Sequence, residues 1–298
     1  MSFTKANKGK QYLRLLLGGP SGSGKTYSAL ILASVLAKKR GSKIALIDSE
    51  RGSGSLYADK FEYDTQELNP PYAPENYLSM IDEAVKAGYK VIVVDSISHE
   101  WMGQGGILDI HTMEGGQFQD WKSVSPRHRK FIDGLTGVQA DIICTSRTKT
   151  EWNIGKDERG KMKPSKVGTK LEQRDGMEYE YTVAFRLDDG NVATPEKDRT
   201  LLFKRPDGNE FIGKIDDEVG NAIWDWLQSG VEEPKEDEIQ DGVVAIIKAM
   251  SLSKMFTVEE EDKVRKIKTK AKLNAAQEWY IKTRKEREDE KEVEENRA

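Results

Sequence analysis

Residues Gly19, Pro20, Ser21, Gly22, Ser23, Gly24, Lys25 and Thr26 spell a complete G-x-x-x-x-G-K-[ST] string. It lies between an apolar run, Tyr12 to Leu17, and a helix-like segment, Tyr27 to Ala37. Strand, glycine-rich turn and helix in that order form a cradle for phosphate. Glycines let the backbone close around phosphate oxygens. Successive N–H groups and the positive helix end supply donors to the anion. In such a loop Lys25 reaches the β- and γ-phosphates, and Thr26 offers its hydroxyl to Mg²⁺. A flexible glycine-serine turn before a helix is the bland alternative, and the complete spacing argues against it. The expectation is a bound nucleoside triphosphate with Mg²⁺.

Carboxylates downstream extend this chemistry. The run KVIVVD, Lys90 to Asp95, has the pattern of a strand buried on both faces. A carboxylate at the carboxyl end of such a strand can hold the Mg²⁺ shell, usually through water. A turn-forming aspartate is the alternative for Asp95, and the phosphate loop upstream weighs against it. The segment IDSE, Ile47 to Glu50, ends the strand after the first helix. In a parallel sheet that end faces the terminal phosphate, where a carboxylate can polarise an attacking water. Asp48 and Glu50 lie two apart and share a face, so either could serve. A salt-bridged loop carboxylate is the competing reading.

The scaffold follows from the pattern of the chain. Strands are expected at 12–17, 43–47, 64–68, 90–95 and 141–146. Helices are expected at 25–39, 77–85 and 118–135, the last with a break possible at Pro126. Strands alternating with helices imply a mostly parallel, doubly wound α/β sheet. Past Ser146, Met177 to Leu187, Asn191 to Ala193 and Thr200 to Phe203 read as strands with turns at DDGN and PDGN, extending the sheet edge. Ala222 to Leu227 reads as a helix whose Trp224 and Trp226 close the core. The expected domains are a core at 1–230 and a charged linker with helices at 231–298. Within the latter, Val243 to Met250 reads as an apolar patch, Glu259 to Arg287 as one long charged helix, and the end as frayed.

With 37% hydrophobic and 33% charged residues, the chain has a soluble, globular composition. It contains no apolar run of about 18 residues, so no membrane partner is expected. The N-terminal MSFTKANKGK lacks the apolar core of a secretory signal, and a cytoplasmic location is expected. Cys144, the one cysteine, leaves no intramolecular disulfide, and with three histidines it supports no zinc site. His111 and His128 read as surface residues. A net charge of -4 confines any nucleic-acid contact to a local patch.

The series GPSGSGKT, IALIDSERGSGSLYAD and VIVVDSIS resembles the RecA-like ATPase core over roughly residues 10–205. The resemblance implies a RecA-like P-loop NTPase fold with a β-rich extension and a C-terminal helical tail, and ATP as the nucleotide. It implies Glu50 as catalytic base and Asp95 as the metal-shell aspartate. Ser146 and Arg147 match the position of a polar γ-phosphate sensor. Within that superfamily the chain is similar to phage AAA-family ATPases, some of which are single-strand annealing proteins of the Sak type. The segment KVGTKLEQRDGMEYEYTV carries this narrower likeness. A phage origin would place the protein in the bacterial host cytoplasm.

Basic elements suggest partners. Lys149, Lys156, Arg159, Lys161, Lys163, Lys166, Lys170 and Arg174 cluster after the sensor position, where RecA-like proteins contact single-stranded DNA. Lysines and arginines there would neutralise phosphates, and Trp152 could stack on a base. Acidic neighbours Glu151, Asp157 and Glu158 dilute the field and keep a plain solvated hairpin open. FKRPDG, Phe203 to Gly208, is similar to the strand end with which hexameric RecA-like motors reach a neighbour's phosphates. Lys204 and Arg205 are adjacent, so at most one of them points that way. The expectation is a homo-oligomeric ATPase of phage recombination or replication that binds single-stranded DNA. An ATP-dependent assembly or loader protein is the alternative. Its C-terminal helix would dock a partner such as a single-strand-binding protein. A nucleotide kinase is less consistent with the motifs.

Overall fold

The computed structural model describes residues 8–9, 11–156, 162–229, 236–253, 255–268 and 270–295. The described chain divides into a unit at 11–229 and a second one that holds 230–298 with the first ten residues. In the larger unit the elements run β1 (Arg14–Gly19), α1 (Lys25–Arg40), β2 (Ile44–Asp48), β3 (Asp64–Glu67), α2 (Pro74–Lys86), β4 (Val91–Asp95), α3 (Ser98–Met102), α4 (Ile107–Met113), α5 (Trp121–Gly137), β5 (Asp141–Lys156), β6 (Met162–Leu171), β7 (Val183–Leu187), β8 (Ala193–Asp198) and α6 (Asp217–Gln228).

The sheet order is β3-β2-β4-β5-β1-β7-β8, with β6 paired to β5 outside this path. Neighbours are parallel from β3 through β7, while β8 and β6 run antiparallel to their partners. Strands β1, β2 and β4 are buried at every position, as expected of parallel strands covered on both faces. Alternate residues feed opposite layers. Leu15, Leu17, Val91 and Val93 pack with α1 and α6. Leu16, Ile92 and Val94 pack with Tyr77, Met80 and Ile81 of α2 and Phe131 and Leu135 of α5. The edge strand β3 is exposed throughout and carries Asp64 and Glu67, charges that discourage further pairing. The fold is a mostly parallel sheet between helices, with a β-rich extension. Residues 230–298 supply the helical C-terminal region.

Several expectations need correction. Helix α5 runs through Pro126 without a break; proline removes one N–H, and the buried face of Val124, His128, Phe131 and Leu135 holds the helix together. Residues Met177–Glu180 form a 3-10 turn, so the following strand starts only at Val183. Thr200 to Phe203 is not a strand: the Asp198 carboxylate accepts from the N–H groups of Thr200, Phe203 and Lys204 and captures that backbone in a loop. His128 is buried, not superficial, with Nδ1 3.1 Å from Glu100 Oε1. In the smaller unit, α7 (Glu236–Ser253) covers the apolar helical patch, α8 (Val258–Arg265) and α9 (Lys270–Glu295) replace the single long helix, and α9 continues into the stretch expected to fray. Val243, Ile246, Met250, Val264, Ile267 and Leu273 form their common core. Thr257 starts α8 with a reciprocal capping box to Glu260, and that cap separates α8 from α7.

At the amino ends of the strands, the fully buried Asp141 accepts from Leu13 N at 2.7 Å and from Arg40 Nε and Nη2 at 2.5 and 2.8 Å. This pins the end of α1 to β1 and β5. Removing one partner of a buried pair strands the other charge. Asp141→Ala is expected to lower the unfolding free energy by about 3 kcal/mol, read from denaturant unfolding.

Candidate nucleotide site

The phosphate loop leaves β1 at Gly19 and enters α1 at Lys25. Gly19 has no room for a side chain: a Cβ there would lie 2.7 Å from Leu187 O and 2.5 Å from Ser23 Oγ. Gly24 caps α1 in the left-handed region, φ 78°, with no side chain on the helix end. The first-turn N–H groups of α1 thus face the loop hollow, where an anion is stabilised. Pro20 O collects Ser23 N at 3.3 Å, Ser23 Oγ at 2.9 Å and Lys25 Nζ at 2.7 Å. Burial lowers the pKa of the Lys25 ammonium, while Asp95 and Glu50 oppose the shift. Ser21 and Gly22 are exposed at the mouth.

Asp95 ends β4 and is fully buried. Its Oδ2 accepts from Thr26 Oγ1 at 2.6 Å, and its Oδ1 accepts a short hydrogen bond from Thr145 Oγ1. Burial raises the Asp95 carboxyl above the ordinary aspartate range, against the pull of both threonines. A hydroxyl and a carboxylate side by side are hard oxygen donors suited to Mg²⁺. Among the described residues no cluster of three or more His, Cys, Asp or Glu could hold a metal by itself. The donor set therefore fits an ion that completes its shell with phosphate oxygens and water.

The structure separates the two carboxylates of IDSE. Asp48 is buried, and its Oδ1 and Oδ2 accept from the backbone N–H of Glu50 at 2.6 Å and Gly54 at 3.0 Å. It builds the loop and is not available as a base. Glu50 lies beyond the strand and turns its Oε1 to Arg147 Nε at 2.8 Å and Ser96 Oγ at 3.1 Å. Burial works to raise the Glu50 carboxyl, but the Arg147 hydrogen bond and charge, with Ser96 and His99, outweigh it and hold the group below the ordinary glutamate range. Ser146 is buried; its hydroxyl lies 3.2 Å from Ser98 Oγ and donates to Arg147 O. Of Ser146 and Arg147, only Arg147 reaches Glu50.

Of the supporting residues, His99 and Glu100 follow the Asp95 strand and were legible from the sequence as residues near the nucleotide or DNA; the others were not singled out. Ser49 Oγ bonds Ser96 O and His99 Nδ1, each at 2.9 Å, and His99 stacks on Tyr72. The loop that carries Glu50 is thereby tied to α3. Burial, followed by Arg147, lowers the pKa of His99. Gln173 Nε2 donates to Ile97 O at 3.0 Å and to the buried Glu100 at 2.9 Å. Thr145 had a legible signal too, a polar residue inside the apolar strand DIICTS.

The basic elements lie elsewhere. Lys149 is exposed on β5, and Lys170 on β6 pairs with Asp175 at 2.6 Å. Arg174 is exposed just past β6. Arg159 and Lys161 lie outside the described residues, as do the side chains of Trp152, Lys156, Lys163 and Lys166. The backbone pairs Trp152 with Lys166, Gly155 with Lys163 and Lys156 with Met162. Lys204 forms an ion pair with Glu210 at 3.0 Å, next to a turn closed by Gly208 N to Arg205 O. Arg205 is exposed at that turn.

A phosphate loop after the first strand of a parallel sheet, with acidic residues at two neighbouring strand ends, defines a P-loop ATPase. The AAA domain family AAA_24 matches residues 11–211, and the chain belongs to that family. Among solved structures it is similar to a KaiC-like protein from the hyperthermophilic archaeon Pyrococcus horikoshii OT3. The two share 18% identity over 63% of this chain and 79% of that one, with a TM-score of 0.37. No curated protein matches the sequence. Among the described residues no helix is long and apolar enough to cross a membrane.

Removing Arg147 takes away the main influence that lowers the Glu50 pKa. In an Arg147→Gln variant the Glu50 carboxyl is expected to protonate at higher pH. The acid limb of the ATPase kcat/KM profile should then move to higher pH.

Proposed function

We propose that this protein hydrolyses ATP to work on single-stranded DNA in phage recombination or replication, as a homo-oligomer. One observation carries the reading: β5 is a single strand that begins in the central sheet, bears Arg147 beside Glu50, and continues to Lys156 before returning as β6. A displacement of Arg147 is therefore a displacement at the root of the hairpin.

Lys25 and the N–H groups of the loop would bind the phosphates. Thr26 and, through water, Asp95 would hold Mg²⁺, which supplies charge neutralisation across the β- and γ-phosphates. Glu50 would accept a proton from the attacking water. It must first exchange Arg147, and a terminal phosphate is the anion for which Arg147 would leave it. Arg147 thus acts as sensor, with Ser146 as its buried anchor. The basic residues from Lys149 to Arg174 would bind DNA phosphates, with Trp152 as a stacking surface.

The reading predicts an ATPase rate that single-stranded DNA stimulates several-fold at low salt, a stimulation that fades as salt weakens the phosphate contacts. A rate indifferent to DNA at every salt concentration would remove it. For the residue acting in trans, the Lys204–Glu210 pair favours Arg205. Arg205→Ala should lower kcat by about 100-fold or more with ATP binding intact, while Lys204→Ala should have little effect. A second reading, an assembly or loader protein, draws on the separate core of residues 230–298. In that case truncation after Ser229 would abolish partner capture and leave the ATPase rate unchanged.

A further inference from the structure

The β7–β8 turn, Asp188–Val192, leans on the phosphate loop from the side away from Glu50. Asn191 Nδ2 donates to Gly22 O at 3.3 Å, and a Cβ on Gly24 would lie 3.0 Å from the same nitrogen. The turn is built firmly: Asp188 Oδ1 accepts from the N–H of Gly190 and of Val192, each at 2.9 Å, and Asn191 N donates to Asp188 O at 3.0 Å. Asn191 holds φ 60°, a left-handed conformation that asparagine tolerates better than most residues. Among the described residues its Oδ1 has no hydrogen-bond partner, and the side chain is half-exposed at the loop mouth.

Direction follows from the strand order. The groups that would handle the terminal phosphate, Asp95, Glu50 and Arg147, stand on β4, β2 and β5 or just past them. All lie on one side of β1, and β7 lies on the other. A phosphate chain with its γ end among those groups crosses the loop, whose glycines cradle the α- and β-phosphates. Its nucleoside then leaves towards Asp188–Val192. That turn presents hydrogen-bond acceptors, the Asn191 carbonyl and the exposed carboxylate of Asp189, which suit ribose hydroxyls and an exocyclic amino group.

We propose that the Asp188–Val192 turn is the nucleoside subsite of the nucleotide site, with Asn191 as the side chain that touches the sugar and base. The proposal rests on the ATP reading of the phosphate loop. Its test compares MgATP with inorganic triphosphate, which lacks a nucleoside, by titration calorimetry. Asn191→Gly is the informative variant, because glycine takes φ near 60° freely and so keeps the turn; an unchanged unfolding curve verifies this. ATP affinity should fall about tenfold, with triphosphate affinity unchanged. An equal fall for both ligands would mean that Asn191 only braces the loop, and no change for either would mean that it makes no contact; each result overturns the proposal. Failure of the ATP reading shows separately: Lys25→Ala would then leave the wild-type affinity for MgATP untouched.

Discussion

A carboxylate buried at the end of a central strand is the constraint around which this site is organised. Asp95 has almost no exposure to water in which to spread its charge, and an isolated buried carboxylate is costly. Thr26 from the start of α1 and Thr145 from β5 supply hydroxyl donors to its two oxygens. The same contacts draw the phosphate loop, β4 and β5 to one point. The hydrogen bonds that make Asp95 tolerable also place Thr26 where a divalent cation could share it.

A second level of control lies above that point. Glu50 and Arg147 neutralise each other at the rim, and Ser96, Ser98 and Ser49 bond the segments that carry them. These groups come from strand ends far apart in sequence that meet at one edge of the sheet because β2, β4 and β5 run parallel. Gln173, on the return from the β5–β6 hairpin, bonds Ile97 and Glu100 in the interior. Both roots of the hairpin are therefore fastened to the segment that follows Asp95. Arg147 of the Glu50–Arg147 pair and the first strand of the hairpin thus belong to one strand, β5.

Much of the core was legible because it depends on local pattern. Continuous apolar runs read as strands buried on both faces, and Leu15 to Leu17 and Val91 to Val94 are buried completely. Glycine spacing with Lys25 and Thr26 read as a phosphate cradle, since that geometry is a property of a short backbone segment. Less was legible beyond Ser146. The loop at Thr200 to Phe203 has strand-like composition, yet the Asp198 side chain takes its backbone N–H groups. His128 looked superficial because its hydrogen-bond partner Glu100 is 28 residues away.

The amino-acid sequence alone determined that a phosphate loop, a strand-end aspartate and an acidic pair would sit on a parallel sheet. Period, spacing and turn chemistry are local properties, and they survive without knowledge of the neighbours. The tertiary structure decided which members of each pair are available. Asp48 is consumed by the N–H groups of its own loop, and Glu50 is left to face Arg147. Ser146 turns inward, Lys204 is held by Glu210, and Asn191 arrives at the phosphate loop from a turn more than 150 residues downstream. The physical reason is the same in each case. Whether a polar group can act depends on which partners compete for it, and those partners are chosen by packing between distant segments, not by the residue's own neighbours in the chain.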